Sequence, residues 1–158
     1  MQQFGEFSLK LAESSQGLAM QSLICSVLIE YGLTPDLQGT DADVLNIEQY
    51  YRDEGGEFYA IYRGAEMCGT MGLKNLGNGV CELRKMYLLP SVRGRGLGRF
   101  ILQWAISEAL RLGFKTMQLE TASVLKEAIA LYEQNGFSRA CGAPHVSRCD
   151  RIYSKKLT

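Results

Sequence analysis

The segment from Val80 to Leu112 constrains the fold more than any other part of the chain. A largely apolar stretch typical of a β-strand runs from Val80 to Leu89 and is closed by Pro90. The glycine-rich turn Arg93-Gly94-Arg95-Gly96-Leu97-Gly98 follows, and a helical pattern begins inside it. The polar side of this helix carries Arg99, Gln103, Ser107 and Arg111, and the apolar side carries Leu97, Ile101, Trp104, Ala105 and Leu112. This succession of strand, turn and amphipathic helix predicts a helix packed on a sheet.

The rest of the pattern predicts a single α+β domain over residues 1–158, without a linker or internal repeat. A helix between Ser14 and Gly32 and a short helix capped by Asp41 precede a meander of antiparallel strands. The predicted strands lie at residues 7–11, 58–62, 67–73, 80–89, 116–121, 137–141 and 151–153, and the last predicted helix lies at 124–134.

Composition excludes several classes of protein. Basic and acidic residues number 17 each, whereas a nucleic-acid-binding protein usually has an excess of basic residues. The five cysteines are widely spaced without a C-x-x-C pair, which favours reduced thiols over disulfides or a zinc site. There is no signal-peptide pattern, and no stretch approaches the ~18 apolar residues of a membrane helix. We therefore expect a cytoplasmic protein with no nucleic-acid or membrane partner and no metal.

The glycine turn has the features of a phosphate-binding loop. A helix N-terminus presents unpaired N–H groups and a partial positive charge, and glycines let a phosphate approach the backbone closely. The dinucleotide pattern G-x-G-x-x-G fails because Arg99 stands three residues after Gly96, and no G-K-[ST] is present. The pattern that fits is R-x-x-G-x-G, formed by Arg93, Gly96 and Gly98.

Two motifs together resemble the GCN5-related N-acetyltransferase (GNAT) superfamily. The first is the strand Glu82-Leu83-Arg84-Lys85-Met86-Tyr87-Leu88 followed by the glycine turn, and the second is the block from Ala128 to Phe137. The resemblance covers roughly residues 80–137 and implies an acetyl-CoA-dependent N-acetyltransferase. It also implies a mixed, mostly antiparallel sheet of six to seven strands flanked by about four helices. Acetyl-CoA would lie where the fourth and fifth strands splay apart.

The resemblance assigns cofactor contacts to two stretches. The backbone of the strand would pair with the pantetheine arm as if with an added strand, at Met86, Tyr87 and Leu88. The turn would hold the pyrophosphate through Arg93, Gly94, Arg95, Gly96, Leu97, Gly98 and Arg99. Many relatives also have an asparagine seven residues before the tyrosine of the second motif. Leu125 stands there in this chain, so the turn would carry more of the cofactor binding, or Lys126 would compensate.

Two residues match catalytic positions. Tyr132 matches a tyrosine that in many relatives protonates the departing thiolate, and a phenol with a pKa near ~10 suits that task. The alternative is a buried tyrosine that packs on the fifth strand. Glu82 matches the catalytic glutamate of histone-modifying members, and an apolar strand would raise its pKa as a base requires. The alternative is a salt bridge to Arg84 or Lys85.

The chain shows no motif for a covalent nucleophile, so the resemblance implies direct attack of an amine on the thioester. His145 lies in the loop that borders the acceptor cleft in relatives, where a solvated histidine is the ordinary interpretation. Residues 1–55 and the loop Gly142–Arg148 would select the acceptor, a small-molecule amine or a peptide or protein amine. Acidic residues near the second helix could attract a cationic amine, or they could be solvated residues at a helix end. Tyrosines there could line the acceptor pocket, or they could belong to the core. These residues are Glu48, Tyr50, Tyr51, Asp53 and Glu54.

Two alternatives remain open at this point. A CoA-binding module without catalysis would share the glycine turn, although the presence of both Glu82 and Tyr132 favours an enzyme. A nucleotide-binding protein could use a similar turn. Relatives are often dimers, so a homodimer is compatible with the resemblance.

Overall fold

The computed structural model describes residues 2–157, so Met1 and Thr158 of the predicted domain lie outside the described residues. The strands are β1 (Gln2–Phe4), β2 (Phe7–Leu11), β3 (Glu57–Arg63), β4 (Glu66–Gly77), β5 (Val80–Leu88), β6 (Thr116–Thr121), β7 (Ser138–Arg139) and β8 (Arg151–Lys156). The α-helices are α1 (Gly17–Glu30), α2 (Ile47–Tyr50), α3 (Leu97–Arg111) and α4 (Lys126–Gln134). Short 3₁₀ helices occupy Ser14–Gln16, Thr40–Leu45, Arg52–Glu54 and Pro90–Val92.

All eight strands form one sheet in the order β1-β2-β3-β4-β5-β6-β8-β7. Every neighbouring pair is antiparallel except β5 and β6, which are parallel. These two strands pair only from Val80 to Glu82 of β5, with Thr116 to Gln118 of β6, and then diverge. The structure confirms the predicted mixed sheet and its opening. The splayed strands β5 and β6 are the fourth and fifth strands of the prediction. Their numbers are higher by one because β1 was not predicted.

Each face of the sheet has its own apolar core. Helices α3 and α4 pack on one face, and α1, α2 and the Thr40–Leu45 segment pack on the other. The first core includes Leu83, Leu97, Ile101, Met117 and Ile129, and the second includes Met20, Ile24, Ile47, Phe58 and Ala60. Among residues 2–157, no helix is long and apolar enough to cross a membrane.

The expectation for the second helix was wrong in one respect. Asp41 does not cap it, because the chain from Thr40 to Leu45 forms a 3₁₀ helix first. Asn46 caps α2 instead, and its side-chain oxygen accepts a hydrogen bond from the backbone N–H of Gln49 at 3.1 Å. The carboxylate of Asp41 is fully buried and serves an ion-pair network described below.

Candidate active site

The opening between β5 and β6 is a cavity closed by α1 on one side and by α4 on the other. The residues that line it include six predicted cofactor contacts and the predicted acid: Met86, Tyr87, Leu88, Arg93, Gly94, Gly98 and Tyr132. Helix α1 and the turn after it contribute Val27, Tyr31 and Leu33, for which the sequence carried no signal. Leu125, at the position that many relatives fill with asparagine, also lines the cavity.

The glycine turn gives the cavity an anion-binding end. Gly94 and Gly96 have φ angles of +77° and +80°, a conformation that glycine adopts without the strain of a side chain. Gly96 is the N-cap of α3, and no side chain caps this 15-residue helix. The first N–H groups of α3 are therefore available, and they combine with the helix dipole to favour a phosphate.

The predicted cations of the turn are less available than its backbone. The guanidinium of Arg93 donates to both carboxylate oxygens of Glu30, at 2.6 and 2.9 Å, and to the carbonyl oxygen of Leu88. Arg95 forms an exposed ion pair with Glu6 at 2.8 Å. Arg99 is exposed, and Leu97 is buried in the core that α3 forms with the sheet. The turn therefore offers mainly backbone donors, and Arg93 ties α1 to the end of β5.

A β-bulge in β5 shapes the wall next to the cavity. Lys85 has a φ angle of +52°, and the register of β5 against β4 shifts between Thr70 and Gly72. The hydroxyl of Thr70 donates to the carbonyl oxygen of Lys85 at 2.7 Å and holds the bulge. As a result, the adjacent side chains of Arg84 and Lys85 both reach the Thr40–Leu45 segment. After the bulge, Met86 and Leu88 pack against the α3–α4 core, as Leu83 does before it.

Tyr132 lies in α4 at the inner wall of the cavity. Its ring contacts Phe137 and Tyr153, with centroids 5.9 and 6.5 Å away, so it belongs to the core as well as to the cavity. Burial raises the pKa of its phenol well above 10, and the nearby Tyr87 and Cys149 add to the shift. The phenol is therefore protonated at neutral pH, and the same burial makes it a weaker acid than a solvated phenol.

Glu82 faces a second cavity rather than the first. That cavity is lined by Thr40, Glu82, Leu83, Arg84, Lys85, Tyr87, Glu120, Val146, Arg148 and Cys149. The Glu82 carboxylate pairs with the Arg84 guanidinium at 3.0 Å, so the predicted alternative of a salt bridge is present. Burial nevertheless raises the pKa of Glu82 above its usual 4.5, against the lowering effect of Arg84. The salt bridge of Glu82 to Arg84 and the raised pKa expected of a base therefore occur together in this structure.

A second carboxylate, Glu120, stands beside Glu82. In the register of β5 with β6, Glu82 is opposite Gln118, two residues before Glu120, so both acidic side chains are on the same face. One oxygen of Glu120 accepts the backbone N–H groups of His145 and Val146, at 2.8 and 3.0 Å, and the other contacts Nδ1 of His145 at 2.8 Å. Burial alone would raise the pKa of Glu120, but these hydrogen bonds lower it. Glu120 and Glu82 therefore have pKa values shifted in opposite directions.

The comparisons with known proteins agree with this geometry. The family model "Acetyltransferase (GNAT) family" matches residues 25–137. The chain belongs to the GNAT acetyltransferase family. It is 40% identical over 124 residues to the "Uncharacterized N-acetyltransferase YjgM" of Escherichia coli K12, covering 75% of this chain and 74% of that protein. We conclude that this GNAT protein is an N-acetyltransferase that uses acetyl-CoA.

Solved GNAT structures extend the likeness to nearly the whole chain. An acetyltransferase of Staphylococcus aureus Mu50 superposes with a TM-score of 0.88 at 23% identity, covering 96% of this chain and 99% of that one. An acetyltransferase of Salmonella typhimurium, solved with its cofactor acetyl-CoA, superposes with a TM-score of 0.76 at 18% identity, covering 97% and 95%. At these identities the likeness concerns the fold. The cavity, the glycine turn and the uncapped helix of this GNAT chain fit acetyl-CoA, and no cluster of metal-ligating side chains occurs among residues 2–157.

Sequence reasoning missed several residues of this GNAT site. Lys85 and Glu120 line both cavities, as do Arg148 and Cys149. One signal for the bulge was present in the sequence. The apolar positions of β5 change phase from Cys81 and Leu83 to Met86 and Leu88, which is the mark of one inserted residue. Tyr51, by contrast, is a core residue, and Tyr50 is partly exposed.

Proposed function

We propose that the two cavities bind the two substrates, acetyl-CoA in the first and the amine in the second. The observation that carries this proposal is that the cavities are adjacent, with six lining residues in common: Leu83, Lys85, Tyr87, Glu120, Arg148 and Cys149. The amine nitrogen would attack the thioester carbonyl at this junction, directly and without an acetylated enzyme. The acceptor is a primary amine, carried by a small molecule or by a peptide or protein.

The first cavity would bind acetyl-CoA mainly through backbone groups. The pyrophosphate would lie at Gly94–Arg99, where the N-terminus of α3 is uncapped. Met86, Tyr87 and Leu88 would pair with the pantetheine arm, because β5 has no strand partner on the β6 side beyond Glu82. The charges of Arg93 and Arg95 would contribute less than the sequence suggested, since both guanidinium groups already have carboxylate partners.

Glu82 and Tyr132 would carry out the proton transfers of the reaction. The amine arrives mostly as an ammonium ion, and the Glu82 carboxylate would accept a proton from it, directly or through water. The raised pKa of Glu82 favours this role. The Tyr132 phenol would donate its proton to the sulfur of the departing CoA, which avoids release of a free thiolate. The nitrogen of the tetrahedral intermediate would lose its second proton through water to the Tyr132 phenolate, so that the net proton released is the one taken up by Glu82.

A screen of amines tests the function itself. Release of CoA thiol from acetyl-CoA should accelerate with at least one member of a panel of polyamines, amino acids, aminophosphonates and peptides. The acetylated product should then be identified by mass spectrometry. Binding of acetyl-CoA without turnover on any amine would favour the alternative of a CoA-binding module.

Tyr132→Phe tests the acid. Loss of a general acid lowers turnover by about 100-fold or more, whereas acetyl-CoA affinity should change little, because the ring and its packing remain. Tyr153→Phe is the matched control, since Tyr153 is a fully buried neighbour whose hydroxyl donates to Glu133. Equal turnover in the two variants would remove Tyr132 from the mechanism.

Glu82→Gln tests the base through its pH dependence. A base must be ionised, so the rate of the unaltered enzyme should rise with pH through the raised pKa of Glu82. The variant should lose this limb of the pH–rate profile, while the control Glu66→Gln, an exposed glutamate at the start of β4, should retain it. An unchanged profile in Glu82→Gln would leave Glu82 with only its salt bridge to Arg84.

We also propose a domain organisation, a cellular location and an oligomeric state. The chain would act as one domain, since strands from both of its ends join the same sheet. It would work in the reducing cytoplasm, where its five free cysteines stay reduced. A homodimer rests on the family resemblance, and sedimentation velocity of the purified protein decides between monomer and dimer.

A further inference from the structure

A buried network of charges adjoins both cavities. The carboxylate of Asp41 is fully buried and accepts two hydrogen bonds from the Arg148 guanidinium, at 2.7 and 2.8 Å. The ammonium group of Lys85 lies 3.4 Å from Asp41 and 3.2 Å from Asp43, and it donates to the carbonyl oxygen of Thr40 at 2.9 Å. The exposed fraction of the Arg148 side chain is only 9%. These charges are thus held away from solvent and satisfied by one another.

The network joins parts of the chain that are far apart in sequence. Asp41 and Asp43 belong to the 3₁₀ segment Thr40–Leu45, and Lys85 is the bulged residue of β5. Arg148 lies in the loop of residues 140–150, which connects β7 to β8 and which we term the acceptor loop. The Asp41–Arg148 pair spans 107 residues of sequence.

The other contacts of the acceptor loop are on the β6 side of the opening. Glu120, near the end of β6, holds His145 and Val146, and Asp150 accepts hydrogen bonds from the backbone and side chain of Ser123 at 2.8 and 2.7 Å. Arg148 reaches the opposite side, where Asp41 packs next to the β5 bulge. The loop therefore bridges the opening between β5 and β6, and Arg148 is its link to the β5 side.

We propose that Arg148 is a positioning residue whose ion pair with Asp41 holds the acceptor loop across the junction of the two cavities. This inference rests on the proposed function, in which the second cavity binds the amine. Without Arg148, the loop keeps its anchors on Glu120 and Ser123 but loses its hold on the β5 side. Acceptor binding then weakens, whereas the glycine turn and the Gly94–Arg99 donor site are untouched.

The cysteines of the chain provide a direct measure of loop position. Cys149, next to Arg148, lines both cavities and is half-buried. Cys141 is exposed, and Cys81 is fully buried in the core. The rate at which N-ethylmaleimide alkylates each thiol, resolved by mass spectrometry of peptides, reports loop opening at Cys149. Cys141 serves as a reference for reactivity, and Cys81 as a reference for global unfolding.

The variant Arg148→Met removes the ion pair and preserves most of the side-chain volume. Cys149 should be alkylated about 10- to 100-fold faster, the range expected for lost hydrogen bonds between charged groups. The electrostatic effect of the substitution on the alkylation rate of Cys149 has the opposite sign. Arg148 lowers the pKa of Cys149, so its removal alone would slow alkylation. Faster alkylation therefore reports opening, and Arg148→Lys should restore part of the protection.

The outcomes separate this proposal from the function on which it rests. Unchanged alkylation of Cys149 in Arg148→Met, or an increase at Cys81 of equal size, overturns the positioning role, whether or not an amine substrate has been found. Because Arg148 also lines the first cavity, calorimetric titration should show a loss of acetyl-CoA affinity that is smaller than the rise in KM for the amine. An equal or larger loss overturns the assignment to the acceptor side. With any amine that the screen identifies, KM for the amine should rise more than kcat falls. The reverse pattern contradicts the proposal.

Discussion

The proposed donor side and the proposed acceptor side of the cleft are built in different ways. The donor side contains one continuous stretch, β5 with its bulge, the glycine turn and the start of α3, and residues of α1, the end of β6, α4 and the acceptor loop complete it. It presents backbone N–H groups and apolar side chains. The acceptor side is assembled from the Thr40–Leu45 segment, β5, β6 and the acceptor loop, and it is lined mainly by charged side chains.

This difference between backbone groups and charged side chains explains why the sequence identified acetyl-CoA but did not identify the amine. A site made of backbone groups needs a particular conformation of one short segment, and glycines at fixed spacing indicate that conformation in the sequence. A site made of paired charges needs tertiary contacts, and a charged residue looks the same in a sequence whether it is solvated or buried. Three measurements test this contrast.

The largest effect is expected from Asp41→Asn. The substitution leaves Lys85 and Arg148 buried without a full countercharge, and breaking a buried ion pair from one side costs about 3–5 kcal/mol. The free energy of unfolding measured by urea denaturation should fall by that amount. The matched control is Glu48→Gln, which breaks the exposed pair between Glu48 and Arg52 and should cost well under about 1 kcal/mol. Similar losses of unfolding free energy in both variants would show that the buried charges of the acceptor side stabilise the protein no more than an exposed ion pair does.

A smaller effect is expected from Gly96→Ala on the donor side. A side chain at a φ angle of +80° costs about 1–2 kcal/mol, and relief of the strain would turn N–H groups away from the pyrophosphate site. Acetyl-CoA affinity should therefore fall by about 5- to 30-fold, as measured by calorimetry.

The control for that variant is Gly113→Ala at the other end of α3. Gly113 also has a positive φ angle, and an added Cβ there would meet no atom within 4 Å. It should lose comparable stability and keep its acetyl-CoA affinity. Equal affinity losses at Gly96 and Gly113 would show that the donor side responds to general strain rather than to the geometry of the turn.

The smallest effect concerns His145, the single histidine of the chain. Its hydrogen bond and ion pair with Glu120 raise its pKa above the usual 6.5. The pair should therefore stabilise the protein below about pH 6.5 and lose this effect as pH rises through the folded-state pKa. NMR titration of the single imidazole should give the raised value, and Glu120→Gln should return it towards 6.5. An ordinary pKa of His145 in the unaltered protein would show that its pair with Glu120 does not anchor the acceptor loop.

Much of the fold was predictable because it follows from short-range patterns. The largely apolar stretch of β5 and the amphipathic period of α3 predicted elements within a few residues of those in the structure. Strand β1 was missed because its three residues carry too little alternation to stand out. The cap on α2 was misassigned because Asp41 and Asn46 are both good N-cap residues, and burial decided which one was free for that role.

The family and the donor followed from the sequence alone, as did a prediction of where the donor binds, because a strand, a glycine turn and a helix are local structures with local signals. Which charges meet depended on the tertiary structure. It committed Arg93 to Glu30, paired Asp41 with Arg148, and placed Glu120 beside Glu82 in the second cavity. The physical reason is that a buried charge is stable only beside its partner, and the partner is set by the packing of segments distant in sequence.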